Sequence, residues 1–392
     1  MLFYRVRVEE THAISPNETF EFHTKEQEVH FGPGSLSRTA EIVDRLGGKR
    51  VFLVYTERAK DSPEGKRLRD ILGGRLAGSF TGVRTHVIVE TVDAAFRAAE
   101  DARADFVVSF GGGSALGTGK ALGLWRIREA EAKGETFGRF PHLCVPTTYS
   151  GTEMTIIAGQ RDEEQGQKRP GRDPRILPLC VVYDPEVTLG LPPKVTAESA
   201  MNALAHCAEG LYSPVADPVG LAAAKDAAGL IARSLPRCVR DGNDLEARTW
   251  MLKAGFLAGF TVHHTGIGLH HGICHVLGGR YGLGHGVSNT IILPNALRYN
   301  LDATAPQQAE LARAMGAANA GDEDLEAGQK GIDFILKLRE DCGLTGRLSE
   351  VGVPESDIPS LAAEAMHSRA VKNNPKPITD PAQVEEVLRA AF

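Results

Sequence analysis

FVVSFGGGSALGTGKALGL, residues 106–124, joins a five-residue apolar run to three consecutive glycines and then to a helical pattern. The apolar run reads as a strand buried on both faces, and the glycines let the chain turn sharply into the helix that follows. Gly111, Gly112, Gly113 and Ser114 then lie at a strand's carboxyl end and a helix's first turn. Backbone N–H groups there lack intrahelical partners and the helix dipole is positive, so a phosphate group is well held. A tight strand-to-helix turn with no ligand uses the same residues. Neither common phosphate fingerprint fits: G-x-G-x-x-G fails at Leu116, and the Walker pattern breaks where Gly119-Lys120 is followed by Ala121.

On either side of this turn, further short apolar runs occur at 51–55, 86–90, 143–145 and 179–183. Helical patterns separate them, at 63–76 and at 92–103, where Ala95, Ala98, Ala99 and Ala102 form an i, i+3, i+4, i+7 stripe. This alternation predicts a parallel sheet with helical crossovers, an N-terminal doubly wound nucleotide-binding domain over residues 1–192. The opening MLFYRVRVEE alternates polar and apolar residues and reads as one more strand. After Leu191-Pro192-Pro193 the texture changes to Ala/Leu-rich segments at 196–212, 220–239, 244–264, 307–318 and 331–342. Residues 193–392 are therefore expected to form an all-helical catalytic domain, giving a fold class of α/β plus all-α.

Length and charge narrow the function classes. A chain of 392 residues, 42% hydrophobic, is past the size at which one core stops growing. A net charge of −6 and a pI near 6.1 argue against nucleic acid or an anionic membrane as partner, and no stretch reaches membrane-spanning length without charge. A small-molecule substrate is the expectation. The six cysteines show no C-x-x-C pair and read as unpaired thiols in a reducing compartment, the cytoplasm.

Two more clusters carry chemistry. The segment PTTYSGTEM at 146–154 follows an apolar run and packs five hydroxyls into seven residues; such a loop can bind ribose, phosphate or a carboxamide, or simply form a turn. Asn202 and His206 are four apart in a helical segment, as are His271 and His275, with His270 beside them and His285 ten residues further on. Imidazoles grouped this way can bind a divalent metal, donate a proton to a developing alkoxide, or both, while any one alone is more often an interior histidine.

Eight motifs, taken together, point to a family: FGPG at 31–34, FGGGS at 110–114, PTTYSGTEMT at 146–155, GRDPRILP at 171–178, YDPEVTLGLPP at 183–193, NALAH at 202–206, GLHHGICHVLGG at 268–279 and NNPKPIT at 373–379. In this combination the chain resembles the iron-containing, or group III, alcohol dehydrogenases of the dehydroquinate-synthase-like fold. Within them it is most similar to the maleylacetate reductases.

The resemblance implies roles. Gly111, Gly112, Gly113 and Ser114 would bind the pyrophosphate of NADH or NADPH, Thr147, Thr148 and Ser150 would lie along the cofactor, and Lys168 would stand near the nicotinamide. Metal-dependent relatives use an Asp and three histidines, matched here by Asn202, His206, His271 and His285, with His275 as a further proton-transfer histidine. Asn202 is the departure: a neutral amide leaves a divalent Fe or Zn ion one negative charge short. Maleylacetate reductases share that Asn, and the implied activity is metal-independent reduction of maleylacetate or a similar keto acid in aromatic-compound degradation, by a homodimer. A protonated histidine among His206, His271, His275 and His285 would then be the electrophile. Gly272 and Gly284-His285-Gly286 look instead like the general alcohol dehydrogenases, so a metal-dependent alcohol or aldehyde dehydrogenase is the alternative. A cofactor-binding member doing a non-redox step is a third class, motivated by the missing acid. For a dicarboxylate substrate, Arg172, Arg175 and Arg280 are the candidate cations. Thr56, at the end of the 51–55 run, is not the acid that would favour NAD, so NADP stays open.

Overall fold

The computed structural model describes residues 27–162, 167–169, 171–344 and 346–392. The expected strand in the opening ten residues lies outside them. The chain divides into two compact units, one ending at Leu191 and one running from Pro192 to Phe392.

The first unit is built on a six-stranded sheet of β1 (Glu28–Phe31), β2 (Val51–Tyr55), β3 (Leu76–Phe80), β4 (Phe106–Gly111), β5 (His142–Pro146) and β8 (Cys180–Tyr183). Between the last two strands, β6 (Gln160–Asp162) and β7 (Gln167–Arg169) form a separate antiparallel pair. The main sheet has the order β1-β8-β5-β4-β2-β3 with every pairing parallel. Its four central strands are buried throughout, which explains why they read as apolar runs, with Ser109 and His142 the buried polar exceptions. Side chains alternate between two cores: Val51, Leu53 and Tyr55 of β2 face one with Phe106, Val108 and Phe110 of β4, while Phe52, Val54 and Val107 face the other. Helices Thr39–Arg45 and Pro63–Leu72 cover the first face through Ile42, Leu68 and Leu72. Val89–Asp101 and Gly113–Ala132 cover the second through Val92, Ala95, Leu122 and Ile127. The sheet thus has helices on both faces, as a doubly wound domain requires.

One strand is elsewhere than expected. Residues 86–90 are a turn leading into a helix: His86 and Val87 have φ of 69° and 52°, and Ile88 makes only an isolated bridge to Arg161. Their apolar side chains serve the interface between helix and sheet, with Val87 in the second core, which is why a β-branched run here is not a strand. The remaining sheet position is filled by β3, which starts at Leu76, the last residue of the expected helix, and runs through residues for which the periodicity predicts no element. That helix stops at Leu72 because Gly73 takes φ 51°.

The connection from β2 leads outward to the edge strand β3, then returns to β4 on the other side of β2. The carboxyl ends of β2 and β4 therefore flank the point where the winding reverses, the usual place for a ligand in an open parallel sheet.

The second unit is helical: Pro193–Leu211, Pro218–Arg240, Leu245–Thr265, Leu269–Tyr281, His285–Met315 and Asp324–Asp341, then the shorter Ile358–Ala365, Arg369–Lys372 and Pro381–Ala390. Starts are marked by side-chain caps, with Asp217 accepting from Val219 and Gly220, and Asp380 forming a capping box with Gln383. The segment expected at 307–318 is only the end of the longest helix. Thr304 leaves helical geometry (φ −136°) two residues before Pro306, and the Gln308 amide reaches back to the Leu297 carbonyl (2.8 Å) and the Thr304 hydroxyl (3.0 Å). Among the described residues, no helix is long and apolar enough to cross a membrane.

Candidate active site

In the α/β unit the glycine turn and the hydroxyl-rich loop pack directly on each other. The Thr147 N–H donates to the Gly111 carbonyl (2.9 Å), continuing the pairing of β4 with β5. A Cβ placed on Gly112 would stand 3.0 Å from Thr148 Cγ2, and one on Gly113 would stand 3.2 Å from the hydroxyls of Ser150 and Thr152. Glycine is favoured here by this close approach, since any side chain would make its neighbours give by a few tenths of an ångström. No side chain caps the start of the Gly113–Ala132 helix; the Ala115 N–H donates to the Gly112 carbonyl (3.0 Å), and the N–H groups of Gly113 and Ser114 are the ones that can face a ligand. Gly111, Gly112, Gly113, Ser114, Thr147, Thr148 and Ser150 are thus gathered at the carboxyl ends of β4 and β5. An uncapped 20-residue helix at this position fits the pyrophosphate of a dinucleotide. Lys168 lies in β7, paired by register with Arg161 of β6. Thr56 caps the helix after β2, its hydroxyl accepting from the Ala59 N–H (3.1 Å).

In the helical unit, four imidazoles form a row. The rings of His206 and His271 stack at 4.8 Å with 15° between planes; His271 and His275 follow at 6.3 Å, and His275 and His285 at 5.8 Å. The helix Pro193–Leu211 supplies His206, Leu269–Tyr281 supplies His271 and His275, and His285 opens the next helix. The row grades outward, with His206 and His271 buried, His275 half-buried and His285 exposed.

Two residues that the sequence did not single out organise this row. Glu209, 1% exposed, accepts from the backbone N–H of Gly268 (2.9 Å) and of His270 (2.8 Å) and from His271 Nδ1 (2.6 Å). With the carboxylate ionised, as its two backbone N–H donors favour, the last bond holds His271 as the tautomer protonated at Nδ1, leaving the lone pair on Nε2. Burial pushes the Glu209 carboxyl up on balance, and the backbone N–H donors partly offset it. Asn289 donates to Asn202 Oδ1, and its own Oδ1 accepts from His270 Nε2 (3.0 Å). His270 is fully buried in this ladder and held neutral, its pKa brought down to about 3 chiefly by desolvation. Burial and then the neighbouring His271 likewise hold His206 well below the ordinary imidazole range.

The family resemblance implies iron at Asn202, His206, His271 and His285, and these residues fit it poorly. Asn202 contributes a neutral oxygen already bonded to Asn289, and the buried carboxylate of Glu209 is turned to His271 Nδ1. Among the described His, Cys, Asp and Glu side chains, three ligand atoms come within 4.8 Å of one another at Glu28, His30 and Cys180 in the α/β unit, and not in the histidine row. There Arg45 bonds Glu28 (2.7 Å) and Arg38 bonds His30 (2.9 Å), so two guanidinium groups oppose a cation. Two of the three candidate carboxylate-binding arginines are engaged: Arg175 pairs with Asp173 and Glu131 (2.6 Å each), and Arg280 bonds Ser360 (2.6 Å) and pairs with Asp357 (3.2 Å), while Arg172 is exposed in the α/β unit, its backbone bridged to Ile157.

Comparison with known proteins places the chain. Residues 26–185 match the profile described as iron-containing alcohol dehydrogenase, and residues 196–392 match the C-terminal profile of the Fe-containing alcohol dehydrogenase family. The chain belongs to the iron-containing alcohol dehydrogenases. It is 37% identical over 368 residues to maleylacetate reductase 1 of Cupriavidus pinatubonensis, covering 93% of this chain and 94% of that protein. Maleylacetate reductase from Burkholderia cepacia is 36% identical over 362 residues, covering 92% and 94%. Among solved structures, maleylacetate reductase from Rhizobium sp. strain MTP-10005 superposes with a TM-score of 0.81 at 32% identity, covering 96% of this chain and 98% of that one. A 1,3-propanediol oxidoreductase gives 0.86 at 31%, covering 93% and 98%. Membership makes this family member an NAD(P)-dependent oxidoreductase with an N-terminal α/β domain and a helical C-terminal domain.

Proposed function

We propose that this chain is an NAD(P)H-dependent reductase of maleylacetate or a similar keto acid, working without a metal. The observation that carries this reading is Asn202, a neutral amide tied to Asn289 in a site whose relatives are named maleylacetate reductases. Bound reduced nicotinamide supplies the hydride. The first-turn N–H groups of Gly113 and Ser114 bind the pyrophosphate, and Thr147, Thr148 and Ser150 orient the cofactor. Lys168, on β7, is the lysine that the family resemblance would set near the nicotinamide.

The histidines manage the proton. His206, held neutral by burial, is a hydrogen-bonding group, and His271 presents Nε2 because Glu209 retains its Nδ1 proton. His275 stands between buried His271 and exposed His285, so it can deliver a proton inward and recover one from the solvent side. All six cysteines are buried and none forms a disulfide, which supports a reducing compartment such as the cytoplasm, and we take the working state to be a homodimer.

The test is steady-state oxidation of NADH and NADPH by chelator-treated protein with freshly generated maleylacetate. Turnover unchanged by chelation is the expected result. No turnover, with activity toward a simple aldehyde restored by Fe or Zn, would move the chain to the metal-dependent alcohol dehydrogenases.

A further inference from the structure

Lys120 is a buried cation that the mechanism above does not use. It lies two turns into the Gly113–Ala132 helix, fully buried, and its ammonium donates to the Thr152 carbonyl (2.6 Å), the Thr155 carbonyl (3.1 Å) and the Thr155 hydroxyl (2.9 Å). Three N–H donors meet three acceptors, so the protonated form is fully satisfied. All three acceptors belong to the far end of the hydroxyl-rich loop. One side chain therefore fastens that loop to the helix whose first turn begins at Gly113.

We propose that Lys120 is a positioning residue for the cofactor, holding residues 147–155 against the glycine turn so that both face the dinucleotide together. The proposal rests on the reading that this turn and loop bind NAD(P)H.

The groups around Lys120 make its charge conditional. Cys144 and Glu153 are the ionisable groups that favour its protonated form; Tyr183 of β8 donates to Glu153 (2.7 Å), and His142 of β5 stays neutral in the same core. Burial outweighs them and brings the Lys120 pKa down to about 8. Below that pH the ammonium makes all three bonds. Above it a neutral amine has two N–H groups for three acceptors, and the loop loosens. Cofactor affinity should therefore fall on the alkaline side, for a reason that lies in the loop and not in the chemistry of the histidines.

The experiment is nicotinamide fluorescence titration of NADH and NADPH from pH 7 to 9.5 on wild type, K120M and T155V, with circular dichroism to establish folding and kcat at saturating cofactor. Wild-type Kd is expected to rise through this window. K120M should bind about tenfold more weakly at pH 7, with no further alkaline rise and kcat little changed, and T155V about threefold more weakly. An unchanged Kd in folded K120M, or an alkaline rise that persists in it, overturns the assignment. If K120M does not fold, an unchanged Kd in T155V overturns it alone. Wild type that binds neither NADH nor NADPH overturns the parent reading of the turn and loop as well.

Discussion

Glu209 Oε2 lies 2.6 Å from His271 Nδ1, and the same carboxylate accepts the backbone N–H groups that open the Leu269–Tyr281 helix. One buried group therefore sets both the tautomer of the imidazole and the entry of its helix. Glu209→Ala would leave those donors unsatisfied in the core, a loss of about 1–3 kcal/mol of stability. Removing a partner that orients a functional histidine costs activity about 10–100-fold. Thermal unfolding and kcat with maleylacetate check the two effects. Full activity in the folded variant would remove His271 from the mechanism.

The glycine turn gives a sharper test of cofactor binding. Gly113→Ala adds a Cβ 3.2 Å from the Ser150 and Thr152 hydroxyls, at the place proposed for the pyrophosphate. The neighbours must give by a few tenths of an ångström, which splays the loop from the turn. KM for NADH and NADPH is expected to rise about tenfold, with kcat at saturation much less affected, because a binding contact is lost and no reacting group moves. Equal losses in kcat and kcat/KM would show that the turn acts on the chemical step instead.

Acid stability depends on histidines outside the proposed chemistry. His142, bonded to the Ser109 hydroxyl (2.8 Å), and His270 are fully buried, and desolvation brings both pKa values to about 3 from 6.5. Between pH 6.5 and 3 the unfolded chain binds protons that the folded chain refuses. Stability is then lost as pH falls through that window, by about 1.4 kcal/mol per unit for each histidine. The slope of unfolding free energy from pH 7 to 5 should be shallower in His142→Gln than in the wild type. An identical slope would mean that His142 takes up its proton in the folded state.

The parts of the structure that were legible in sequence share a physical cause. Strands β2, β4, β5 and β8 are buried on both faces and so are mostly apolar, Ser109 and His142 excepted, and the Gly111–Gly113 turn shows itself because Gly111 takes φ 147° and a side chain at Gly112 or Gly113 would crowd Thr148 and Ser150. Strand β3, LAGSF, is partly exposed at the sheet edge and made of small residues, so it gives little periodic signal; Gly73-Gly74 just before it was the available marker. The run at 86–90 misled because burial against helices selects the same β-branched side chains as burial in a sheet. Glu209 and Asn289 were passed over because their partners, His271 and Asn202, lie 62 and 87 residues away. Their spacing was nevertheless readable: Glu209 is three residues after His206 and Asn289 four after His285, each on a helix that carries a histidine of the row.

Asn202→Asp restores the charge that the family's metal ligands normally provide. The new carboxylate would keep its bond from Asn289 Nδ2 and would stand one helical turn from His206. A divalent ion gains one formal negative charge of compensation, and buried without an ion that carboxylate would be held near its neutral form by desolvation. The expected outcome is that wild-type protein, purified without chelator, carries no stoichiometric Fe or Zn, while the variant acquires up to one ion per chain and its thermal stability becomes sensitive to chelation. Metal content by mass spectrometry reads this directly. A stoichiometric ion already present in the wild type would show that Asn202 is a working ligand, and the metal-free electrophile assigned to the histidine row would have to be abandoned.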